Sequence, residues 1–217
     1  MNQKERTFEN FITTANRLAQ LAAEEVCRFP GQKYNPLYFY GEHGVGKTHM
    51  LNTIANSYSE KCTNVIYISA SQIAEELIEA VKNGEITEFR KRYQDSDVLL
   101  IDDFQYLVGK DATQEEILDI IDVLLHKGKQ IVIASDSSLD GMSKLSDGLC
   151  DELARGLCIE LCMPDFGNRV AIVKQKLQNL GIYWPEEAYK YVALKTGASI
   201  NQIEGEINKI LLCKTLI

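Results

Sequence analysis

Apolar residues recur at helical spacing through Phe8, Phe11, Ile12, Ala15, Leu18, Ala19, Ala22 and Val26. That pattern predicts an amphipathic helix, which the breaker Phe29-Pro30-Gly31 ends. Leu37 to Tyr40 is a short apolar and aromatic run, the mark of a buried strand. Helical spacing resumes at Met50, Leu51, Ile54, Ala55 and Tyr58. A β-branched, aromatic stretch from Asn64 to Ser69 predicts a second strand. Ser71 is the expected cap of a helix that runs to about Lys82, and Asn83-Gly84 stops it. Glu85 to Gln94 reads as a further short helix. Val98 to Ile101 predicts a third strand, Gln114 to Lys127 a helix closed by Gly128, and Gln130 to Ser135 a fourth strand. Ile159 to Leu161 is a candidate fifth. From Asp165 onward the pattern is helical, over about 165–180, 185–195 and 199–212. Strands alternating with helices predict an α/β fold, with a central parallel sheet covered on both faces. The change of pattern after Pro164 divides the chain into residues 1–164 and a small all-helical unit, 165–217.

Composition narrows the picture. The chain has 217 residues, 45% of them apolar, enough to bury a core for one large domain or one with a small appendage. Its net charge of −8 argues against tight nonspecific DNA binding, which draws on Lys and Arg against phosphates. Cysteines 27, 62, 150, 158, 162 and 213 include no CxxC pair. They read as buried free thiols of a reducing compartment, which makes the cytoplasm the expected location. The N-terminus is too polar for a signal peptide, and no apolar run reaches membrane-spanning length.

The chemistry centres on Gly41-Glu42-His43-Gly44-Val45-Gly46-Lys47-Thr48, the phosphate-binding pattern G-x-x-x-x-G-K-[ST]. Gly41, Gly44 and Gly46 let backbone N–H groups, that of Val45 included, wrap a polyphosphate. Lys47 supplies positive charge, and the Thr48 hydroxyl can join the shell of Mg²⁺. A strand before the loop and a helix after it add the favourable field of a helix N-terminus. Val98-Leu99-Leu100-Ile101-Asp102-Asp103 is the expected partner segment. Its strand carries Asp102 to the phosphates as a second Mg²⁺ ligand, and Asp103 follows to orient or activate water. Asp136, at the end of the fourth strand, can sense the terminal phosphate. Lys47, Asp102, Asp103 and Asp136 are thus the candidate catalytic set, with ATP or ADP and Mg²⁺ as the ligands.

Taken in order, these segments resemble the AAA+ ATPase domain of the bacterial replication initiator family DnaA. The resemblance rests on Asn35-Pro36-Leu37, Gly46-Lys47-Thr48-His49, Val98 through Gln105, Gly109-Lys110, Thr113 through Glu116, Gln130 through Asp136 and Glu204-Gly205. It implies an αβα sandwich with a helical lid. It places Phe8, Phe11 and Asn16 near the adenine and His49 behind the loop. It sets the loop strand between the Asp102 strand and an edge strand. It also makes residues 71–94 an inserted helical pair that in the family grips single-stranded DNA. The basic run Phe89-Arg90-Lys91-Arg92-Tyr93 lies there, but the surrounding glutamates favour a solvated helix face with two aromatics turned inward.

Departures from the family pattern shape the expected activity. Where the family has arginines, one of them the finger that reaches a neighbour's ATP, this chain has Gly148 and Glu152. The lid arginine is replaced by Asn201. The resemblance covers neither the initiator's N-terminal interaction domain nor its duplex-binding helix-turn-helix, so sequence-specific duplex binding is not expected. Stand-alone relatives of the Hda type keep their finger, so their activity does not transfer directly. The expectation is a nucleotide-binding protein that acts in or regulates replication initiation, hydrolyses ATP weakly, and pairs with a DnaA-type initiator or itself through its AAA+ faces. The alternatives are an active helicase-loader-type ATPase on single-stranded DNA and a scaffold with structural nucleotide.

Overall fold

In a computed structural model, residues 16–59, 64–197 and 199–215 are described. Phe8 and Phe11 lie outside them, as do Cys62 and the side chain of Cys213. The order is α1 (Arg17–Arg28), β1 (Leu37–Tyr40), α2 (Lys47–Ser59), β2 (Val65–Ser69), α3 (Ala70–Asn83), α4 (Ile86–Gln94), β3 (Val98–Asp102), α5 (Asp111–His126), β4 (Gln130–Ser135), α6 (Asp147–Ala154), β5 (Leu157–Glu160), α7 (Phe166–Asn179), α8 (Glu186–Lys195) and α9 (Ile200–Thr215).

All five strands pair in parallel, in the order β2-β3-β4-β1-β5. This corrects the expected neighbourhood of the loop strand. β1 does adjoin an edge strand, β5, but β4 separates it from the Asp102 strand. Burial explains the order. Every residue of β3 and β4 is buried, whereas β2 and β5 each leave residues exposed. Strands apolar on both faces belong in the middle of a covered parallel sheet.

Alternate residues of the strands feed two cores. Leu37, Phe39, Leu100 and Val132 face α1 and α2, with Ile54 and Val26. Tyr38, Leu99, Ile101 and Ile133 face α3 to α6, with Ile73, Phe89, Ile117 and Leu149. α7, α8 and α9 close on a third core of their own, around Val173, Leu177, Tyr189 and Ile203. Trp184 packs beside Tyr189 there, with ring centroids 6.4 Å apart.

Three local expectations change. Ser69, not Ser71, caps α3, in a capping box with Gln72. The short α6 was not foreseen, and Ser146 caps it. Cys158 and Cys162 are exposed rather than buried: β5 is an edge strand, and Cys158 points away from the core face that Ile159 occupies.

At the N-terminal end of the sheet, Asp97 joins three segments. It accepts from Lys129 Nζ at 2.6 Å and from the Asn64 N–H at 3.0 Å. The Lys129 hydrogen bond, seconded by that amide, holds its carboxyl below the usual range. A depressed folded value means this support is present above about pH 4 and is lost as acid titrates the native carboxylate. Urea melts of wild type and Asp97→Asn between pH 7 and pH 2.5 should therefore converge at the acid end.

Candidate functional site

The loop between β1 and α2 has the shape its glycines permit. Gly41 sits at φ +152°, and a Cβ there would lie 2.3 Å from the Leu161 carbonyl oxygen. Gly44, at φ +85°, lies against Ser199 at the start of α9, where a Cβ would come within 2.7 Å of that residue's own Cβ. The Gly44 carbonyl also accepts from the Ile200 N–H at 3.0 Å. Val45 turns its side chain into the α1–α2 core. The N-terminal end of α2, at Lys47 and Thr48, then faces the cleft beside the loop.

Lys47 is only 6% exposed. Its ammonium donates to the Gly41 carbonyl at 2.6 Å and the Glu42 carbonyl at 3.0 Å, and pairs with Asp136 Oδ1 at 2.8 Å. Asp102 is buried at the end of β3. Its Oδ2 accepts from the Tyr67 hydroxyl at 2.8 Å and its Oδ1 from the Asp103 N–H at 3.0 Å. Asp103 takes a left-handed conformation, φ +53°, and starts a one-turn 3-10 helix, Phe104–Leu107. That turn carries Gln105 back to both remaining carboxylates: its Nε2 donates to Asp136 Oδ2 at 2.9 Å and Asp103 Oδ1 at 3.3 Å. The candidate catalytic residues Lys47, Asp103 and Asp136 are thus joined, with Asp102 immediately adjacent.

A cleft of about 290 Å³ opens here, lined by Gly44, Gly46, Lys47, Thr48, His49 and Asp103 on one side and by Ile200, Asn201 and Glu204 of α9 on the other. Asn201 therefore reaches the loop from the helical unit. Asn16 stands at the N-terminal end of α1. Its carboxamide donates to the Cys162 carbonyl at 3.0 Å and accepts from the Cys162 N–H at 2.8 Å, fastening α1 to the segment after β5.

Thr48 and Asp102 offer hydroxyl and carboxylate oxygens, the hard donors that Mg²⁺ prefers. No group of three or more His, Cys, Asp or Glu side chains suited to a metal occurs among the described residues. Tyr67 and Gln105 were missed as site residues. Tyr67 acts across two strands, which sequence spacing does not reveal. Gln105 stood in plain view, a polar residue one turn after two carboxylates.

Away from the cleft, both arginines of the basic run on α4 are engaged. Arg90 makes a two-pronged contact with Glu116 of α5, Arg92 pairs with Glu76 at 2.7 Å, and Phe89 and Tyr93 are buried. On α6, Glu152 pairs with Arg155. Gly148 abuts α5, where an added Cβ would meet Leu118 at 3.0 Å.

The model of the bacterial DnaA ATPase domain matches residues 2–160. This chain belongs to that family. The DnaA relationship extends past the matched segment. The chromosomal replication initiator DnaA of Chloroflexus aurantiacus is 39% identical over 207 residues, covering 94% of this chain and 43% of that protein. The chain thus spans less than half the length of that relative. Domain III of Thermotoga maritima DnaA superposes with a TM-score of 0.92 at 37% identity, over 98% of this chain and 90% of that one. A DnaA solved with AMPPCP and single-stranded DNA superposes at 0.90 with 36% identity, over 96% of this chain and 65% of the other. No helix among the described residues is long and apolar enough to cross a membrane.

Proposed function

We propose that this chain is an ATP- and ADP-binding DnaA-type AAA+ protein that acts in or regulates the initiation of DNA replication, and that it hydrolyses ATP slowly by itself. The observation that carries this reading is the buried ammonium of Lys47, held by loop carbonyls and Asp136 at the mouth of a cleft beneath the α2 N-terminus. A polyphosphate in that cleft meets the loop's N–H groups, and its outer phosphate takes over Lys47 from Asp136. Thr48 and Asp102 would hold Mg²⁺, which when bound neutralises phosphate charge. Tyr67 keeps Asp102 aimed, and Asp103 and Asp136 orient water beside the terminal phosphate. The AMPPCP-bound DnaA neighbour supports the nucleotide. The separate core of α7–α9 supports a nucleotide-binding domain at 1–164 and a lid at 165–217.

Slow hydrolysis follows from Glu152 and Asn201. A carboxylate cannot stabilise negative charge developing on a transferred phosphoryl group, and a carboxamide brings no positive charge. The partner that fits is a DnaA-type initiator or a second copy, meeting this chain through AAA+ faces. Single-stranded DNA is the weaker partner, because Arg90 and Arg92 are already engaged with carboxylates.

Purified protein should retain or take up adenine nucleotide. It should turn over ATP slowly, alone or with single-stranded DNA, and co-sediment with a DnaA-type initiator. Turnover by the chain alone equal to that of an arginine-complete relative would reject the slow-hydrolysis reading. Failure to take up any adenine nucleotide would reject the whole of it.

A further inference from the structure

We propose that Gln105 is a positioning residue that enables this site to favour ATP over ADP. The proposal rests on the nucleotide-site reading above. The Gln105 carboxamide makes four contacts. Its oxygen accepts from the Asp136 N–H at 3.1 Å and the Ser135 hydroxyl at 3.3 Å. Those two donors fix which end of the amide is oxygen. The NH₂ end is thereby committed to Asp136 Oδ2 and Asp103 Oδ1. Phe104 and Leu107, both fully buried, anchor the turn that carries the side chain.

Asp103 and Asp136 are like charges brought close at one end of the cleft, and Asp136 also carries the pairing with Lys47. A third phosphate brings further negative charge to this end, while a diphosphate stops one group short. The amide donor shared by the two carboxylates tempers that repulsion and keeps both aimed. Its worth is therefore greater for a triphosphate than for a diphosphate. The difference is a share of the worth of a hydrogen bond to a charged group, which is about tenfold in affinity or somewhat more.

The test is displacement of a fluorescent ADP analogue by AMPPCP and by ADP, for wild type, Gln105→Ala and Gln105→Glu. The ratio of AMPPCP to ADP affinity should fall severalfold, up to about tenfold, in Gln105→Ala. It should fall further in Gln105→Glu, which keeps the shape and exchanges the donor for a third carboxylate. A role in packing alone would weaken both nucleotides equally and would let the glutamate substitute for glutamine. Either of those outcomes, or an unchanged ratio in both variants, overturns the proposal while leaving the nucleotide site standing. Wild-type protein that binds neither nucleotide removes the site reading and this proposal together.

Discussion

Lys47→Ala is expected to weaken adenine-nucleotide binding by about thirtyfold to several-thousandfold, the equivalent of the 2–5 kcal/mol typical of truncating one partner of a buried charge pair. The physical reason is local. Removing the ammonium bares the carbonyls of Gly41 and Glu42 and strips Asp136 of its cation. An incoming polyphosphate then meets Asp102, Asp103 and Asp136 with no side-chain countercharge between them. The loop's N–H groups remain, so weak residual binding is expected rather than none. A fluorescence titration with labelled ADP reads the effect directly. Affinity within threefold of wild type would mean that the polyphosphate lies elsewhere.

The second large effect concerns α6, where the resemblance to the family places the arginine finger. Glu152→Arg is expected to raise ATP turnover at least a hundredfold at protein concentrations that allow self-association. That is a share of the roughly 10³–10⁵ an arginine finger supplies. The substitution breaks the pair with Arg155 and sets two guanidiniums three residues apart, at a position whose side chain is only 15% exposed. Restoring the companion arginine at Gly148 is harder, because Leu118 would have to give way. Mixing wild-type protein with an arginine-bearing DnaA-type relative should raise turnover on this chain's nucleotide without any substitution here. Steady-state phosphate release measures both. No increase in either experiment would show that position 152 does not limit the reaction.

Much of the site was legible because its residue types are so constrained. A tight anion-wrapping turn needs glycine where the backbone runs left-handed or touches another chain segment, as at Gly41 and Gly44. A carboxylate at the end of an apolar run announces a strand that delivers charge to an edge, as Asp102 does. What stayed hidden was set by distant partners. Strand order depends on which crossover returns where, so the place of β4 between β1 and β3 could not be read from spacing. Tyr67 reaches Asp102 across 35 residues, and Gln105 reaches Asp136 across 31. α6 was missed because eight residues with only Leu149 and Leu153 buried give too short a period to recognise. Asn16 also reaches the Cys162 backbone, across 146 residues, a contact no local pattern encodes.

The groups proposed to meet phosphate follow the ends of three adjoining strands, β1, β3 and β4, whereas Glu152 and Asn201 belong to helices outside the sheet. Capture and turnover are therefore inherited on different parts of the molecule. On that reading, evolution can silence one without loosening the other, leaving a latch that stays shut once its occupant arrives.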